Sequence, residues 1–245
     1  MNMQKSDIPW YESWFDRNYL HLYKHRNAHE ARVQIDLIAR TLNMKKEHRI
    51  LDLACGDGRY TYLLNDLGYR VVGLDLSREL IDEGREKYGS LNLIVGDMRS
   101  IPGSYDIILS LFTSFGYFDE DSENDRVFRA VHDSLEDGGW FWLDFLNPGF
   151  IEENLVPETV TEISSVCQVI ERRKIVKNRI EKDIVFFDGH EEKRYRESVR
   201  LYSRKELESM FKKNDFEIGG CLGDYHGCQW REETERTIIY GQKIS

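Results

Sequence analysis

Short apolar runs and amphipathic segments alternate along residues 49–146. Arg49–Ala54 is a compact apolar run, and Gly58–Leu67 has helical spacing that Gly68 ends by permitting the left-handed closing conformation. The further strands predicted in this way are Tyr69–Leu74, Leu91–Val95, Tyr105–Leu111 and Trp140–Phe145; the further helices run from Ser77 to Tyr88 and from Asp121 to Leu135. Because parallel strands need crossovers that cover the sheet, this alternation predicts an α/β fold with helices on both faces.

The flanking segments have different patterns. Residues 10–42 read as helical and rich in aromatic side chains, whereas residues 159–202 read as antiparallel strands with a hairpin at Asp188–Gly189. A capping box, Ser203 with Glu206, then predicts a helix to Lys213, because the two side chains satisfy each other's backbone N–H groups. Two last strands are predicted near Phe216–Cys221 and Arg236–Gln242.

Together these elements predict a seven-stranded, mostly parallel sheet. The expected organisation is an N-terminal helical cap over 1–47, a Rossmann-like core formed by 48–146 and 203–245, and an antiparallel β insertion over 147–202. The insertion would serve as a lid or as a dimer surface, so a homodimer is a further expectation.

Composition and charge narrow the function classes. The 245 residues carry a formal net charge of −10, which argues against a broad nucleic-acid surface, because such surfaces need clustered Lys and Arg. No signal peptide or apolar run of membrane-spanning length is read, and the cysteines at 55, 167, 221 and 228 lack metal-site spacing. The expectation is a cytoplasmic protein that binds neither nucleic acid, membrane nor metal.

The first chemical signal lies where the first strand meets the first crossover helix. Gly56 and Gly58 in the segment Leu51–Gly58 let the backbone turn tightly and approach a ligand without a Cβ collision. A ligand there would lie outside the carboxyl end of the strand, beside a helix N-terminus. Alone, the pattern fits equally well with a tight strand–helix turn.

Two acidic positions make ligand binding more specific. Asp75 ends the second strand 23 positions after Asp52, where a carboxylate accepts hydrogen bonds from the hydroxyls of a ribose; it would otherwise be a helix-entry residue next to Ser77. Asp97 ends the third strand, where it could accept from an adenine amine while Met98 contacts the ring. The aromatic segment Asp106–Tyr117 leads out of the fourth strand over the same edge.

These motifs resemble those of class I methyltransferases that use S-adenosylmethionine (SAM), especially bacterial enzymes with small-molecule substrates. The segments that carry the resemblance are Leu51–Arg59, Val71–Ser77, Gly96–Arg99, Ser114–Phe118 and Asp137–Gly139. The resemblance implies that Gly56 and Gly58 lie beneath the methionine part of SAM, that Asp75 holds the ribose, and that Asp97 and Met98 flank the adenine. It further implies cofactor contacts from Asp52, Ala54, Leu76, Leu109 and Leu111, and from Tyr19, Tyr23 or Arg26 in the N-terminal helix, where arginine has the bidentate fork that suits a carboxylate.

The acceptor is expected to be a small molecule methylated on nitrogen or oxygen. Methyl transfer is an in-line displacement, so the protein mainly positions two groups and needs a base only if the acceptor must lose a proton. Candidate acceptor-side residues, which lie in loops after strands or between the last two strands, are Tyr117, Asp144, Asn147, His226 and Trp230. Of these, Tyr117 and His226 are the candidates for catalysis.

Two other functions share part of this pattern. An NAD-dependent oxidoreductase would have the strand, the glycine turn and Asp75, but its G-x-G-x-x-G fingerprint requires a glycine at position 61, which is Thr61 here. A non-catalytic module that binds SAM or a nucleotide would keep the same glycines and acids. Binding of SAM rather than NAD, followed by methyl transfer, separates the three possibilities.

Overall fold

Two β-sheets organise the part of the chain that the computed structural model describes, residues 8–23, 28–164, 167–189 and 191–244. The helices are α1 (Trp10–Ser13), α2 (Arg17–Leu22), α3 (Ala28–Thr41), α4 (Arg59–Asp66), α5 (Arg78–Tyr88), α6 (Asp121–Ser134), α7 (Pro148–Asn154) and α8 (Arg204–Lys213). The strands are β1 (Arg49–Leu53), β2 (Arg70–Asp75), β3 (Leu93–Val95), β4 (Tyr105–Ser110), β5 (Leu135–Leu146), β6 (Glu158–Ser164), β7 (Cys167–Val176), β8 (Arg179–Phe187), β9 (Glu192–Arg200), β10 (Phe216–Leu222) and β11 (Arg236–Lys243).

The larger sheet has seven strands in the order β10-β11-β5-β4-β1-β2-β3. Its first five strands in chain order pair in parallel, and β11 runs antiparallel to both β5 and β10. The predicted seven-stranded, mostly parallel sheet is therefore confirmed. The strand order reverses direction between β4 and β1, and such a reversal opens a crevice at the carboxyl ends of the strands.

Helices cover both faces of this sheet because its central strands are apolar on both sides. Along β4, Ile107 and Leu109 belong to one core cluster and Ile108 to the other, and all three are fully buried. Successive side chains of a strand point to opposite faces, so a continuous apolar run supplies both cores. No helix among the described residues is long and apolar enough to span a membrane.

The second sheet is an antiparallel meander, β6-β7-β8-β9. The pairing of β8 with β9 confirms the hairpin predicted at Asp188–Gly189. One face of the sheet packs against the N-terminal helices: Trp14 and Leu22 share a core cluster with Val169, Ile184 and Phe186. The segment that contains α1 and α2 is therefore packed against the second sheet.

Several element boundaries differ from the prediction. The helical region 10–42 is three helices, and Asp16 interrupts it because its carboxylate caps α2 by accepting from the N–H groups of Asn18 and Tyr19. Strand β5 begins at Leu135, since the chain passes directly from α6 into extended backbone and Gly138 bends it at a positive φ of 76°. Helix α7, with Pro148 in its first turn, was not predicted.

Candidate active site

A cavity of about 710 Å³ opens at the carboxyl ends of β1, β2 and β4, and the N-terminal helices contribute to its lining. The residues predicted for the site that line it are Tyr19, Tyr23, Asp52, Ala54, Gly56, Asp75, Leu76, Asp97, Met98, Leu111 and Tyr117. Gly58, Leu109 and His226 do not line it, and Arg26 lies outside the described residues. The strand-order reversal thus brings most of the predicted residues to one place.

The glycine turn has an unusual backbone over several residues. Ala54, Gly56 and Gly58 have φ values of 59°, 60° and 77°, which non-glycine residues adopt at some cost. A Cβ on Gly58 would lie 2.8 Å from Leu93 Cδ2, so this glycine is required for close packing against β3 rather than for contact with the cavity. Ala54, Cys55, Gly56 and Asp57 are the residues of this turn that line the cavity.

Asp75 is the central acidic group of the site, and its side chain is buried. One carboxylate oxygen accepts from the Gly56 N–H at 2.8 Å and the other from the Ser77 N–H at 2.8 Å, which fixes the carboxylate between the two turns. Burial raises the pKa of Asp75, and these hydrogen bonds oppose the rise. Each oxygen retains a second lone pair, so the carboxylate is able to accept the two hydroxyls of a ribose.

Asp52 lies deeper, below the glycine turn. Its carboxylate accepts a hydrogen bond of 2.7 Å from Thr61 Oγ1, and burial raises its pKa to about 6 despite that bond. Thr61 occupies the position where a dinucleotide fingerprint requires glycine. In this chain the Thr61 hydroxyl donates its hydrogen bond to the buried Asp52 carboxylate at the end of β1.

Asp97 is held by a neighbouring guanidinium. Arg99 Nη2 donates to Asp97 Oδ2 at 2.6 Å, and Arg99 Nη1 reaches Glu123 at 2.5 Å. Partial burial opposes ionisation of Asp97, but the hydrogen bonds from Arg99 outweigh it and lower the pKa. The Arg99 guanidinium also lies 4.4 Å from the ring centroid of Phe118, which lines the cavity. Arg99 therefore contacts both the Asp97 carboxylate and this ring.

Aromatic side chains of the N-terminal segment cover the cavity. Phe15 and Tyr19 have ring centroids 5.0 Å apart, and Tyr19 and Tyr23 are 4.8 Å apart. The segment is attached to the turn after β2 by a 2.6 Å hydrogen bond from Ser77 Oγ to the Phe15 carbonyl. Charge pairs of Arg17 with Glu79 and Glu83 on α5 add to this attachment.

A second aromatic group forms the wall after β1 and β4. The rings of Tyr60 and Phe112 lie 5.4 Å apart, and the guanidinium of Arg59 lies within 5.3 Å of both centroids. These three residues were not predicted for the site, although Arg59 and Tyr60 follow Gly58 directly. Four further lining residues were not predicted either: Tyr11, Phe15, His21 and Ser114.

Tyr117 also lines the cavity, and the pKa of its hydroxyl is strongly raised. Burial raises its pKa well above the ordinary value, and the nearby Tyr19 hydroxyl and Glu197 carboxylate raise it further. A tyrosine in this state remains protonated at neutral pH. Tyr117 is therefore suited to donate a hydrogen bond and poorly suited to act as a general base.

The other predicted acceptor-side residues are not among those lining the cavity. Asp144 is fully buried and accepts from Arg236 Nε at 2.7 Å, and Asn147 donates to the carbonyls of Arg231, Glu232 and Thr234. Trp230 Nε1 donates to Thr237 Oγ1 at 3.0 Å, and His226 is exposed in the loop between β10 and β11. Asp144, Asn147 and Trp230 are thus engaged in hydrogen bonds within the protein, and His226 lies outside the site.

Comparison with known proteins agrees with this geometry. Residues 50–139 match the family model of a methyltransferase domain. A putative methyltransferase of Bacillus subtilis, YqeM, is 25% identical over 213 residues, which are 82% of this chain and 86% of the relative. An N,N-dimethyltransferase of dTDP-3-amino-3,6-dideoxy-α-D-glucopyranose from Streptomyces fradiae is 26% identical over 78% of each chain.

Solved structures show the same fold. An S-adenosylmethionine-dependent methyltransferase from Clostridium acetobutylicum superposes with a TM-score of 0.79 and 21% identity, covering 94% of this chain and 97% of that one. This likeness includes the second sheet as well as the core, because it extends over nearly the whole chain. Residues 50–139 therefore belong to a methyltransferase domain, and the chain as a whole has the fold of SAM-dependent methyltransferases.

Proposed function

We propose that the chain transfers a methyl group from SAM to a nitrogen atom of a small-molecule amine. The observation that carries this proposal is the division of the cavity into an acidic end and an aromatic end. The acidic residues of its lining are Asp52, Asp57, Asp75, Glu83, Glu86 and Asp97, which all belong to β1 and its turn, β2, α5 or the turn after β3. We call these six residues the acidic end of the cavity, and Tyr19, Tyr60, Phe112 and Tyr117, which also line it, the aromatic end.

The acidic end fits the nucleoside of SAM. Asp75 is placed to accept the ribose hydroxyls, Asp97 and Met98 would lie at the adenine, and the glycine turn from Ala54 to Gly56 lets the backbone approach the methionyl part. When bound there, SAM supplies a methyl group that its sulfonium activates for displacement. The residues of the chain then orient and enclose the reacting groups, which contributes on the order of 7–11 kcal/mol in well-oriented reactions.

The aromatic end fits a neutral amine and the ammonium product that its methylation forms. The faces of Tyr19 and Tyr117 are able to attract this cation and, in the same way, the sulfonium of SAM, whereas the rings of Tyr60 and Phe112 already contact the Arg59 guanidinium. A neutral amine attacks without help from a base, whereas a hydroxyl must lose its proton. Because burial raises the pKa of Tyr117 well above its ordinary value, Tyr117 stays protonated and cannot take a proton from a hydroxyl group, which favours nitrogen over oxygen as the acceptor atom.

The comparisons support nitrogen as well. The relative from Streptomyces fradiae is named for N,N-dimethylation of an amino sugar, and it matches over 78% of this chain. A sugar N-methyltransferase from a Streptoalloteichus species has the same fold, with a TM-score of 0.73. Both names describe methylation of a nitrogen atom on a sugar, so amino sugars are the acceptors that we propose to test first.

The experiment has two stages. Calorimetric titration with SAM and S-adenosylhomocysteine first establishes cofactor binding; absence of binding to folded protein would overturn the proposal, and binding of NAD instead would favour an oxidoreductase. Radiolabelled methyl transfer from SAM is then measured on pairs of small molecules that differ only in carrying an amine or a hydroxyl group. We expect label in the amine members, and label only in the hydroxyl members would show oxygen to be the acceptor.

His21 provides a control for the role of a base. His21 lies on α2 and lines the cavity, and its imidazole is of a type that is able to act as a general base. Replacing it, His21→Gln, is expected to change the rate of amine methylation less than about tenfold, because general-base catalysis typically contributes 10²–10⁴-fold. A loss of 100-fold or more would show that a proton is removed by the protein.

A further inference from the structure

Arg179, the first residue of β8, connects the second sheet to the loop that carries Tyr117. Its guanidinium donates to the carbonyls of Phe118 at 3.1 Å, Tyr117 at 3.3 Å and Gly116 at 3.4 Å. It is fixed from the other side by Ser198, whose hydroxyl and carbonyl accept at 2.8 and 2.7 Å. The arginine thus holds three successive carbonyl groups of one loop.

These contacts determine which side of the loop meets the cavity. The carbonyls of 116–118 converge on the guanidinium, while the side chains of Tyr117 and Phe118 line the cavity. Burial lowers the pKa of the Arg179 guanidinium, although the charge of Asp119 opposes the shift. Among the described residues, this partly buried guanidinium donates to backbone carbonyls and to the Ser198 hydroxyl, and no carboxylate lies within ion-pair distance of it.

The loop is attached to the second sheet at a further point. The Arg200 N–H donates to the Gly116 carbonyl at 2.8 Å, and a Cβ on Gly116 would lie 2.9 Å from the Arg200 carbonyl. Gly116 also has a φ of 79°, so the close approach of loop and strand requires glycine here. Ends of both β8 and β9 therefore meet the same three residues.

The N-terminal segment meets them too. Trp10 Nε1 donates to the Tyr117 carbonyl at 3.3 Å, and the two rings have centroids 5.0 Å apart. Tyr11 packs edge-on against Phe118 at 5.3 Å. The Tyr117 carbonyl is consequently shared by a donor of the cavity cover and a donor of the second sheet.

We infer that Arg179 is a positioning residue: from the second sheet it sets the loop 116–118 and thereby the two aromatic rings that this loop presents to the SAM cavity. The inference rests on the proposed function only for the identity of the ligand. The orientation of the loop is a property of the unliganded chain and is tested separately.

The test compares Arg179→Met with Arg179→Lys and with Arg194→Met as the matched control. Arg194 lies on β9 with a side chain that is 67% exposed, so its replacement removes the same charge from the same sheet without touching the loop. Arg179→Met is expected to bind S-adenosylhomocysteine about tenfold more weakly, which is the factor that loss of one charge-assisted hydrogen bond brings. Arg179→Lys, which keeps the charge but not the planar fork, is expected to fall between wild type and Arg179→Met.

Hydrogen exchange without ligand gives the second readout. In Arg179→Met the amide of Arg200, which bonds to Gly116, is expected to exchange about tenfold faster, while amides within the β7–β8 pairing keep their wild-type rates. Uniformly faster exchange across the second sheet would mean that Arg179 only stabilises that sheet and would overturn a positioning role. Wild-type affinity and wild-type exchange in folded Arg179→Met would overturn it equally.

The two proposals fail in different ways. If wild-type protein binds no S-adenosylhomocysteine, the proposed function fails, and the exchange at Arg200 still decides whether Arg179 sets the loop. If wild type binds and Arg179→Met binds equally well with an unchanged loop, the function stands and the inference about Arg179 is wrong.

Discussion

Asp144 and Arg236 form an ion pair beneath the turn that follows β4. Asp144 is fully buried, the Arg236 side chain is 16% exposed, and the two charged groups are 2.7 Å apart. The pair also supports an unusual backbone: Phe112 and Thr113 have φ values of 55° and 64°, and Asp144 accepts from the Phe112 N–H while Arg236 donates to Thr113 Oγ1. The conformation of a cavity-lining residue, Phe112, therefore depends on this pair.

The substitution Asp144→Asn keeps an oxygen for the Phe112 N–H but removes the charge that balances Arg236. Breaking a buried pair from one side costs about 3–5 kcal/mol, because the remaining charge is left in a poorly hydrated site. Asp144→Asn is accordingly expected to lower the free energy of unfolding by about that amount. In the double variant Asp144→Asn/Arg236→Met both charges are gone, and we expect stability to return to within about 2 kcal/mol of wild type.

Urea unfolding followed by far-ultraviolet circular dichroism measures Asp144→Asn, Arg236→Met and the double variant, with the slope checked for constancy so that midpoints are comparable. Asp66→Asn is the matched control, since Asp66 pairs with Arg32 at 2.9 Å with both side chains nearly half exposed. Its loss is expected to stay below about 1 kcal/mol. If the double variant loses as much as the sum of the two single variants, the charges are independent and the reasoning is refuted.

Three further outcomes follow from the site. Asp75→Asn is expected to weaken S-adenosylhomocysteine binding at least about tenfold in calorimetry, because one acceptor oxygen becomes a donor. The control Asp82→Asn, on the exposed side of α5, is expected to leave the affinity unchanged. Equal affinities of the two variants would show that Asp75 does not bind the cofactor. Burial raises the pKa of Asp52 from 3.8 to about 6 in the folded chain. Between these two pH values the folded chain keeps a proton that the unfolded chain has released, so Asp52 makes the free energy of unfolding fall as the pH rises through this range. Asp52→Asn should flatten that part of the stability profile in denaturant unfolding, and an unchanged slope would contradict the assignment. Trp14→Phe removes the 2.6 Å hydrogen bond to Glu197 and is expected to cost about 1.5–3 kcal/mol, measured by the same unfolding; no loss would show that the bond contributes nothing to holding the N-terminal helices.

The core sheet was predictable because its signals are local. Each apolar run is followed by a turn whose residues are close in sequence, such as the glycines after β1 and the capping residue Ser77 after β2. Parallel strands bring their carboxyl ends to one edge, so Asp75 and Asp97 could be placed at one site without knowledge of their contacts. For Asp75 and Asp97, a position at the end of a predicted strand was sufficient to place the residue at the site.

The acceptor-side residues were less predictable because their partners are distant in sequence. Asp144 pairs with Arg236, which is 92 residues away, and Asn147 donates to a carbonyl 87 residues away. Both residues follow or end a strand at the correct edge, yet these long-range bonds turn them away from the cavity. The positive φ of Phe112 likewise has no signal in the chain, since it depends on an acceptor supplied by Asp144.

The break in the N-terminal helical region has the same origin. Asp16 caps α2, and its other oxygen accepts from the Tyr195 hydroxyl at 2.7 Å across 179 residues. The periodicity of aromatic residues in 10–42 favours a helix but gives no information on where the second sheet will contact it. The break at Asp16 therefore depends on a contact with β9 that the local pattern does not reveal.

The attachment of the N-terminal helices to the second sheet has a consequence for how the protein is made. Trp14 bonds to Glu197 across 183 positions, and Trp10 bonds to Tyr117 across 107. During synthesis the strands and glycine turn of 49–110 leave the ribosome while the residues that cover them still lack their partners on β9. A nascent chain stopped before Glu197 is therefore expected to carry the glycine turn and the acidic residues of the site without the hydrogen bond that attaches Trp14 to the second sheet.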